Sequence, residues 1–213
     1  MARASSPTAR PAAANLPAAV RPATGIAAFV ALYLLLDWLS YIHASNAFGL
    51  TPWNPQPALA VALIAFAGQR TIPAVFAAVI LSELLVRGAP APAAATAFAA
   101  LALTLGYATT AQWLVSRHGP RLPMASHADL LRLLAGIAGG TLLTGTIFIG
   151  TLVASGHAPA RSAPEALLQF WIGDSVGLVV TLPLILVLLD PLRREQLRRS
   201  LFRRESLDPV GAA

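Results

Sequence analysis

The sequence predicts an all-α, polytopic integral membrane protein with about six transmembrane helices and both termini in the cytoplasm. Hydrophobic residues make up 56% of the chain and charged residues 11%, with a mean hydropathy of +0.67. This composition is too apolar and too poor in charge for a soluble domain. Apolar stretches close to membrane-spanning length recur along the chain. The net charge of +6 comes from arginine alone, and these arginines flank the apolar stretches, as in membrane proteins with basic cytoplasmic loops.

The chain divides into three parts by composition. Residues 1–22 are rich in Ala, Pro and Ser and predict a disordered cytoplasmic tail. Residues 23–190 predict the transmembrane domain, and residues 191–213 a basic cytoplasmic tail. The first apolar stretch, about 23–42, is long enough to span a bilayer, which favours an uncleaved helix over a secretory signal peptide.

The second and third apolar stretches are short. Pro57 to Gly68 and Pro73 to Arg87 are separated by a polar break, and each is shorter than the roughly 20 residues that a perpendicular span needs. They predict either two short helices that extend into the headgroup region or a re-entrant pair. Of these alternatives, we predict two separate spans.

The fourth span is predicted at about Ala93 to Val115 and the fifth at about Leu130 to Ser155. In the fifth, Gly136 and Gly140 form a small-xxx-small pair, which is typical of a face that packs closely against another helix.

The sixth span, Pro164 to Asp190, contains the deepest carboxylate of the chain. Asp174 follows Gly173, and Gly177 comes one turn later. A carboxylate at such depth is costly unless it faces protein, water or a ligand. The glycines predict a smooth face for a neighbouring helix, and Asp174 predicts the wall of an internal polar site.

With the amino terminus inside, every arginine except Arg87 and Arg161 lies on the cytoplasmic side. Asp37, Glu83 and Asp174 then fall in the outer half of the bilayer, where they predict one acidic cavity. The predicted ligand-binding residues are listed together here: Asp174, Glu83, Asp37, Trp171, Trp53 and Phe170. Two alternatives stay open: Asp37, Glu83 and the aromatic residues belong to an ordinary interfacial belt, or Asp174 is a hydrogen-bonded packing group between helices.

Two stretches resemble a known family. FWIGDSVGLVVTLPL, Phe170 to Leu184, and WNPQPALAVALIAFAGQR, Trp53 to Arg70, are similar to motifs of the first class of membrane-associated sensor domain. This MASE-type input module occurs in bacterial histidine kinases and diguanylate cyclases. Asn54 and Pro57 stand where the family usually has proline and glycine. The resemblance implies a sensor in the bacterial inner membrane.

No nucleotide-binding loop, phosphoacceptor-histidine or cyclase signature accompanies the resemblance. The chain is therefore expected not to be an enzyme and to need no cofactor. The arginine pairs at 193/194, 198/199 and 203/204 predict either an amphipathic helix on the anionic inner leaflet or only an anchor for the last span.

Three functions compete. The first is a sensory or ligand-binding module whose last helix reports to a cytoplasmic kinase, cyclase or other membrane subunit, with a homodimer as a further option. The second is a small transporter for a cationic or small organic solute. The third, an intramembrane hydrolase using Asp37 and Asp174, is disfavoured because Leu36 and Trp171 replace the flanking tyrosine and glycine of intramembrane aspartyl proteases. Metal and nucleic-acid binding are not expected, because the four histidines lack metal-ligand spacing and no basic face carries aromatic residues.

Overall fold

The computed structural model describes residues 20–41, 51–88, 92–118, 126–157 and 159–189. These residues form six α-helices and two short 3₁₀ turns, with no strand, so the all-α prediction is confirmed. The helices are α1 Val20–Tyr41, α2 Gln56–Ala67, α3 Ile72–Leu85, α4 Ala93–His118, α5 His127–Ala154 and α6 Ala163–Leu189. Nearly all of the predicted amino-terminal tail and the whole carboxy-terminal tail lie outside the described residues.

Four of these helices, α1, α4, α5 and α6, are long and apolar enough to cross a membrane. The other two correspond to the short stretches: α2 has 12 residues and α3 has 14. At 1.5 Å per residue, they are about 18 and 21 Å long, which is less than the thickness of a bilayer core.

The short helix α2 lies at the centre of the bundle. It contacts α1, α4 and α6, and eight of its residues are buried. A helix that is apolar on all sides is expected in such a position. Because α2 is surrounded largely by protein and not by lipid, the backbone beyond its ends can be irregular at membrane depth without exposing polar groups to hydrocarbon.

A tight turn joins α2 to α3. Gly68 ends α2 with φ of +83° and donates its N–H to the carbonyl of Ile64. This left-handed conformation favours glycine, because a side chain would be strained there. The Thr71 hydroxyl donates to the Gly68 carbonyl at 2.8 Å, and Pro73 occupies the first turn of α3, where its missing N–H costs nothing.

Helices α4, α5 and α6 pack on one another in chain order. Between α4 and α5, Gly136 lies against the ring of Trp113, Gly140 against Thr110, and Gly106 against Thr144. Small residues let the two backbones approach, which is how helices associate where the surrounding lipid supplies no hydrophobic driving force. Gly136 and Gly140 thus lie in the α4–α5 contact.

Adjacent glycines on α5 provide a matched test of this packing. A Cβ at Gly140 would overlap Thr110, whereas one at Gly139 would meet no atom within 4 Å. We expect Gly140→Leu to lower the free energy of unfolding by about 1–3 kcal/mol through overpacking, and Gly139→Leu to leave it nearly unchanged. Thermal unfolding of both variants in one detergent checks this; equal midpoints would contradict the described α4–α5 contact.

Candidate functional site

Polar side chains from five helices, from the segment before α2 and from the turn after α3 meet inside the bundle, in a group that we call the polar cluster. Its two central carboxylates, Asp37 of α1 and Asp174 of α6, are each only 1% exposed. The polar cluster consists of Asp37, Asn54, Gln56, Ser82, Glu83, Arg87, Tyr107 and Asp174. Asp174 lies roughly 16 Å along α6 from its first residue at 1.5 Å per residue, so this carboxylate is well inside the bundle.

Asp37 forms one half of the polar cluster and is fully engaged. It accepts hydrogen bonds from Gln56 Nε2 at 2.7 Å, from the hydroxyl of Ser82 and from Arg87 at 3.0 Å. Arg87 also pairs with Glu83 at 3.5 Å and lies over the ring of Tyr41, 5.7 Å from its centroid. One buried carboxylate therefore joins α1 to α2 and to the end of α3.

Asp174 forms the other half and receives donors of a different kind. Asn54 Nδ2 donates to Oδ1 at 2.8 Å, and the Tyr107 hydroxyl makes a longer contact with Oδ2 at 3.4 Å. Among the described residues, no basic side chain forms an ion pair with Asp174. The two aspartates thus differ in chemistry, because Asp37 has a guanidinium partner and Asp174 has only neutral donors.

The segment Thr51–Pro55 runs into the bundle and lies directly on α6. The backbone N–H of Asn54 donates to the carbonyl of Gly173 at 3.1 Å. A Cβ at Gly173 would overlap the carbonyl oxygen of Thr51, and a Cβ at Gly177 would overlap that of Asn54. The backbone that approaches these glycines belongs to an irregular segment, where the sequence had suggested a helix, and only glycine leaves room for it.

A small cavity separates the two aspartates. Its volume is 20 Å³, which is enough for about one water molecule and for no larger ligand. Its apolar walls come from Val79, Leu103, Phe148 and Phe170, and Tyr33 adds a further phenol ring. The site is therefore compact, acidic and largely closed.

Comparison with known proteins identifies the family of the chain. The family model MASE1, which describes a membrane-associated sensor domain, matches residues 23–213. The chain belongs to the MASE1 family. No match was found among curated proteins or among solved structures. The two stretches on which the MASE1 resemblance depends, Trp53 to Arg70 and Phe170 to Leu184, meet in space at Asn54 and Gly173.

The structure of this MASE1 domain brings some of the predicted ligand-binding residues together and leaves others apart. Asp37, Glu83, Asp174 and Phe170 all line the cavity. Trp171 does not: its indole N–H donates to the backbone carbonyl of Ala138 on α5 at 2.8 Å. Trp53 does not line it either, and is 43% exposed.

Five residues of the polar cluster were missed from the sequence: Asn54, Gln56, Ser82, Arg87 and Tyr107. Asn54 and Gln56 looked like ordinary loop residues, although they alternate with prolines that predict irregular backbone. Tyr107 was one polar group within a long apolar helix. The sequence analysis treats Arg87 as one of two arginines outside the cytoplasmic side, whereas in the structure it neutralises Asp37. A single basic residue at the end of an otherwise apolar stretch is a pattern that could have indicated such a buried ion pair.

Two arginines with contrasting surroundings test the Asp37 half of the polar cluster. Arg87→Met leaves the carboxylate buried without a cation, so we expect the free energy of unfolding to fall by about 3 kcal/mol. Arg132→Met, which breaks the exposed pair with Asp129, should cost less than about 1 kcal/mol. Adding Asp37→Asn to Arg87→Met should recover stability. Chemical unfolding in detergent measures all three; equal losses in the two single variants would contradict the description of this pair.

Proposed function

We propose that this MASE1 domain is a sensory module that converts a stimulus at the polar cluster into movement of α6, which a cytoplasmic partner reads. The observation that carries the proposal is the continuity of α6. The same helix holds Asp174 within the polar cluster and continues, with Pro183 inside it, to Leu189, next to the arginine-rich residues 191–213. In this proposal the chain has no catalytic output of its own and signals through a kinase, a cyclase or another membrane subunit.

The distribution of arginines supports an orientation for this proposal. With both termini in the cytoplasm of a bacterium, the six helices cross the inner membrane in alternation, and α2 and α3 cross it as a short central pair. The polar cluster then lies in the outer half, near the ends of α1 and α3 and the beginning of α6. Arg87 no longer counts against this orientation, because it is paired with Asp37 and Glu83.

The Thr51–Pro55 segment is the proposed moving contact. Asn54 binds α6 twice, through its amide side chain to Asp174 and through its backbone N–H to Gly173. A ligand can shift an equilibrium only by its difference in affinity for the two states. A ligand that competes with Asn54 for Asp174 supplies such a difference, because it favours the state in which α6 is released from the segment.

One observation favours transport as a second candidate. Irregular backbone among the helices, next to short helices and buried carboxylates, is also how transporters build solute sites. If the chain were a transporter for a cationic or small organic solute, its reconstitution into liposomes would give uptake that depends on Asp174. Uptake with an unchanged signalling output would decide for this function.

Asp174→Asn tests the sensory proposal directly. The amide keeps the shape of the side chain and removes the charge that a stimulus would address. We expect a fusion of the full chain to a diguanylate cyclase domain to lose most of its stimulus-dependent output in this variant, with membrane insertion unchanged. The matched control is Glu165→Gln, the same change at an exposed position of the same helix. A normal response of Asp174→Asn, or an equal loss in both variants, would count against the proposal.

A further inference from the structure

Gln56 carries a buried acceptor whose hydrogen-bonding capacity is unused. The residue is only 4% exposed, and its Oε1 has no hydrogen-bond partner among the described residues. Its orientation is determined by its other end, because Nε2 donates to Asp37 and a flipped amide would turn its oxygen toward the carboxylate. An acceptor left unpaired in the interior is costly, so its presence beside a cavity calls for a donor.

The charges around this cavity do not balance. The carboxylates of Asp37, Glu83 and Asp174 line it, and within the part of the chain that the structure describes Arg87 is the only basic residue that does. Arg87 is engaged by Asp37 and Glu83, so it does not form an ion pair with Asp174. The amino-terminal end of α2, which begins at Gln56, adds a partial positive charge of about one half. Even with this partial charge, the negative charges around the cavity exceed the positive ones, so one more positive charge can be accommodated next to Asp174.

The size of the cavity limits what that charge can be. A volume of 20 Å³ accommodates one water-sized molecule. Among the described residues, no group of three His, Asp or Glu side chains is placed to hold a metal ion. Two atoms of cavity-lining residues have no hydrogen-bond partner among the described residues, the acceptor Gln56 Oε1 and the donor Arg87 Nε. Arg87 Nε already lies 3.5 Å from a carboxylate oxygen of Glu83, so the group that still needs a partner is the acceptor of Gln56. A cation that donates hydrogen bonds therefore fits better than one that needs a shell of coordinating oxygens.

We propose that the cavity binds a water-sized, hydrogen-bond-donating cation, the ammonium ion, between Gln56 Oε1 and the carboxylate of Asp174. Its N–H groups satisfy the unpaired amide oxygen, and its charge neutralises the aspartate that has only neutral donors. In this proposal ammonium competes with Asn54 for Asp174, so that its binding changes the contact between the Thr51–Pro55 segment and α6. This inference names the ligand class of the site proposed above and rests on that site being where the stimulus acts.

The test is the thermal unfolding of the purified full chain in detergent, followed by tryptophan fluorescence at fixed pH and ionic strength. Ammonium chloride, sodium chloride and choline chloride are compared over the same concentrations. We expect a saturable rise of about 5 °C with ammonium at a hundred times its Kd, and no rise with the other two salts. Equal midpoints in the three salts would overturn the proposal, because water alone would then fill the cavity.

Three further measurements sharpen the result. Methylammonium has a second non-hydrogen atom and should not fit, so a rise as large as that with ammonium would also overturn the proposal. Asp174→Asn should abolish the ammonium effect, and Glu165→Gln should retain it. A midpoint that follows pH but not ammonium would assign the charge to a proton and overturn it likewise.

The wild-type salt series needs no variant to fold, so the proposal stays testable even if Asp174→Asn is unstable. Binding is measured here without any signalling output. Failure of ammonium to bind would therefore leave the sensory role standing, whereas binding by a chain whose output ignores Asp174 would overturn the sensory role alone.

Discussion

The double attachment of Asn54 to α6 is the contact on which the rest of the structure depends. Its side chain binds Asp174 and its backbone binds the Gly173 carbonyl, so the irregular Thr51–Pro55 segment is held among the helices. That attachment allows α2 to be short and central, because the chain enters the bundle before the helix begins. It also explains the glycines at 173 and 177, whose missing side chains leave the space that the segment occupies.

The second constraint is that buried charge must be neutralised. Asp37 satisfies it with Arg87, which also draws in Glu83, so that α1 and α3 are joined by an ion pair supported by neutral hydrogen bonds. Such pairs stabilise little in themselves but are costly to break. Asp174, across a cavity from this pair, has no cation among the described residues. This asymmetry is the basis on which we propose separate roles for the two aspartates, Asp37 in holding the helices and Asp174 in responding to a ligand.

Much of the fold follows from hydropathy and glycine spacing. The long apolar stretches predicted the positions of α1, α4, α5 and α6. Asp37, Asp174 and, from the short helix α3, Glu83 line one cavity in the structure. Hydropathy could not show in which direction each side chain points. Trp171 lies next to Phe170, yet its ring turns to α5 while Phe170 turns to the cavity. The roles of Asn54 and Arg87 could not be predicted either, because their partners are distant in the sequence and become close only after folding.

The central claim is that Asn54 and Asp174 are energetically coupled, and a double-mutant cycle measures that coupling directly. The free energy of unfolding is determined for the wild type, Asn54→Ala, Asp174→Ala and the double variant in one detergent. A direct hydrogen bond predicts an interaction energy of about 0.5–3 kcal/mol, with the second substitution costing less after the first. Additive losses, within about 0.5 kcal/mol, would contradict the account, because the segment and α6 would then be independent.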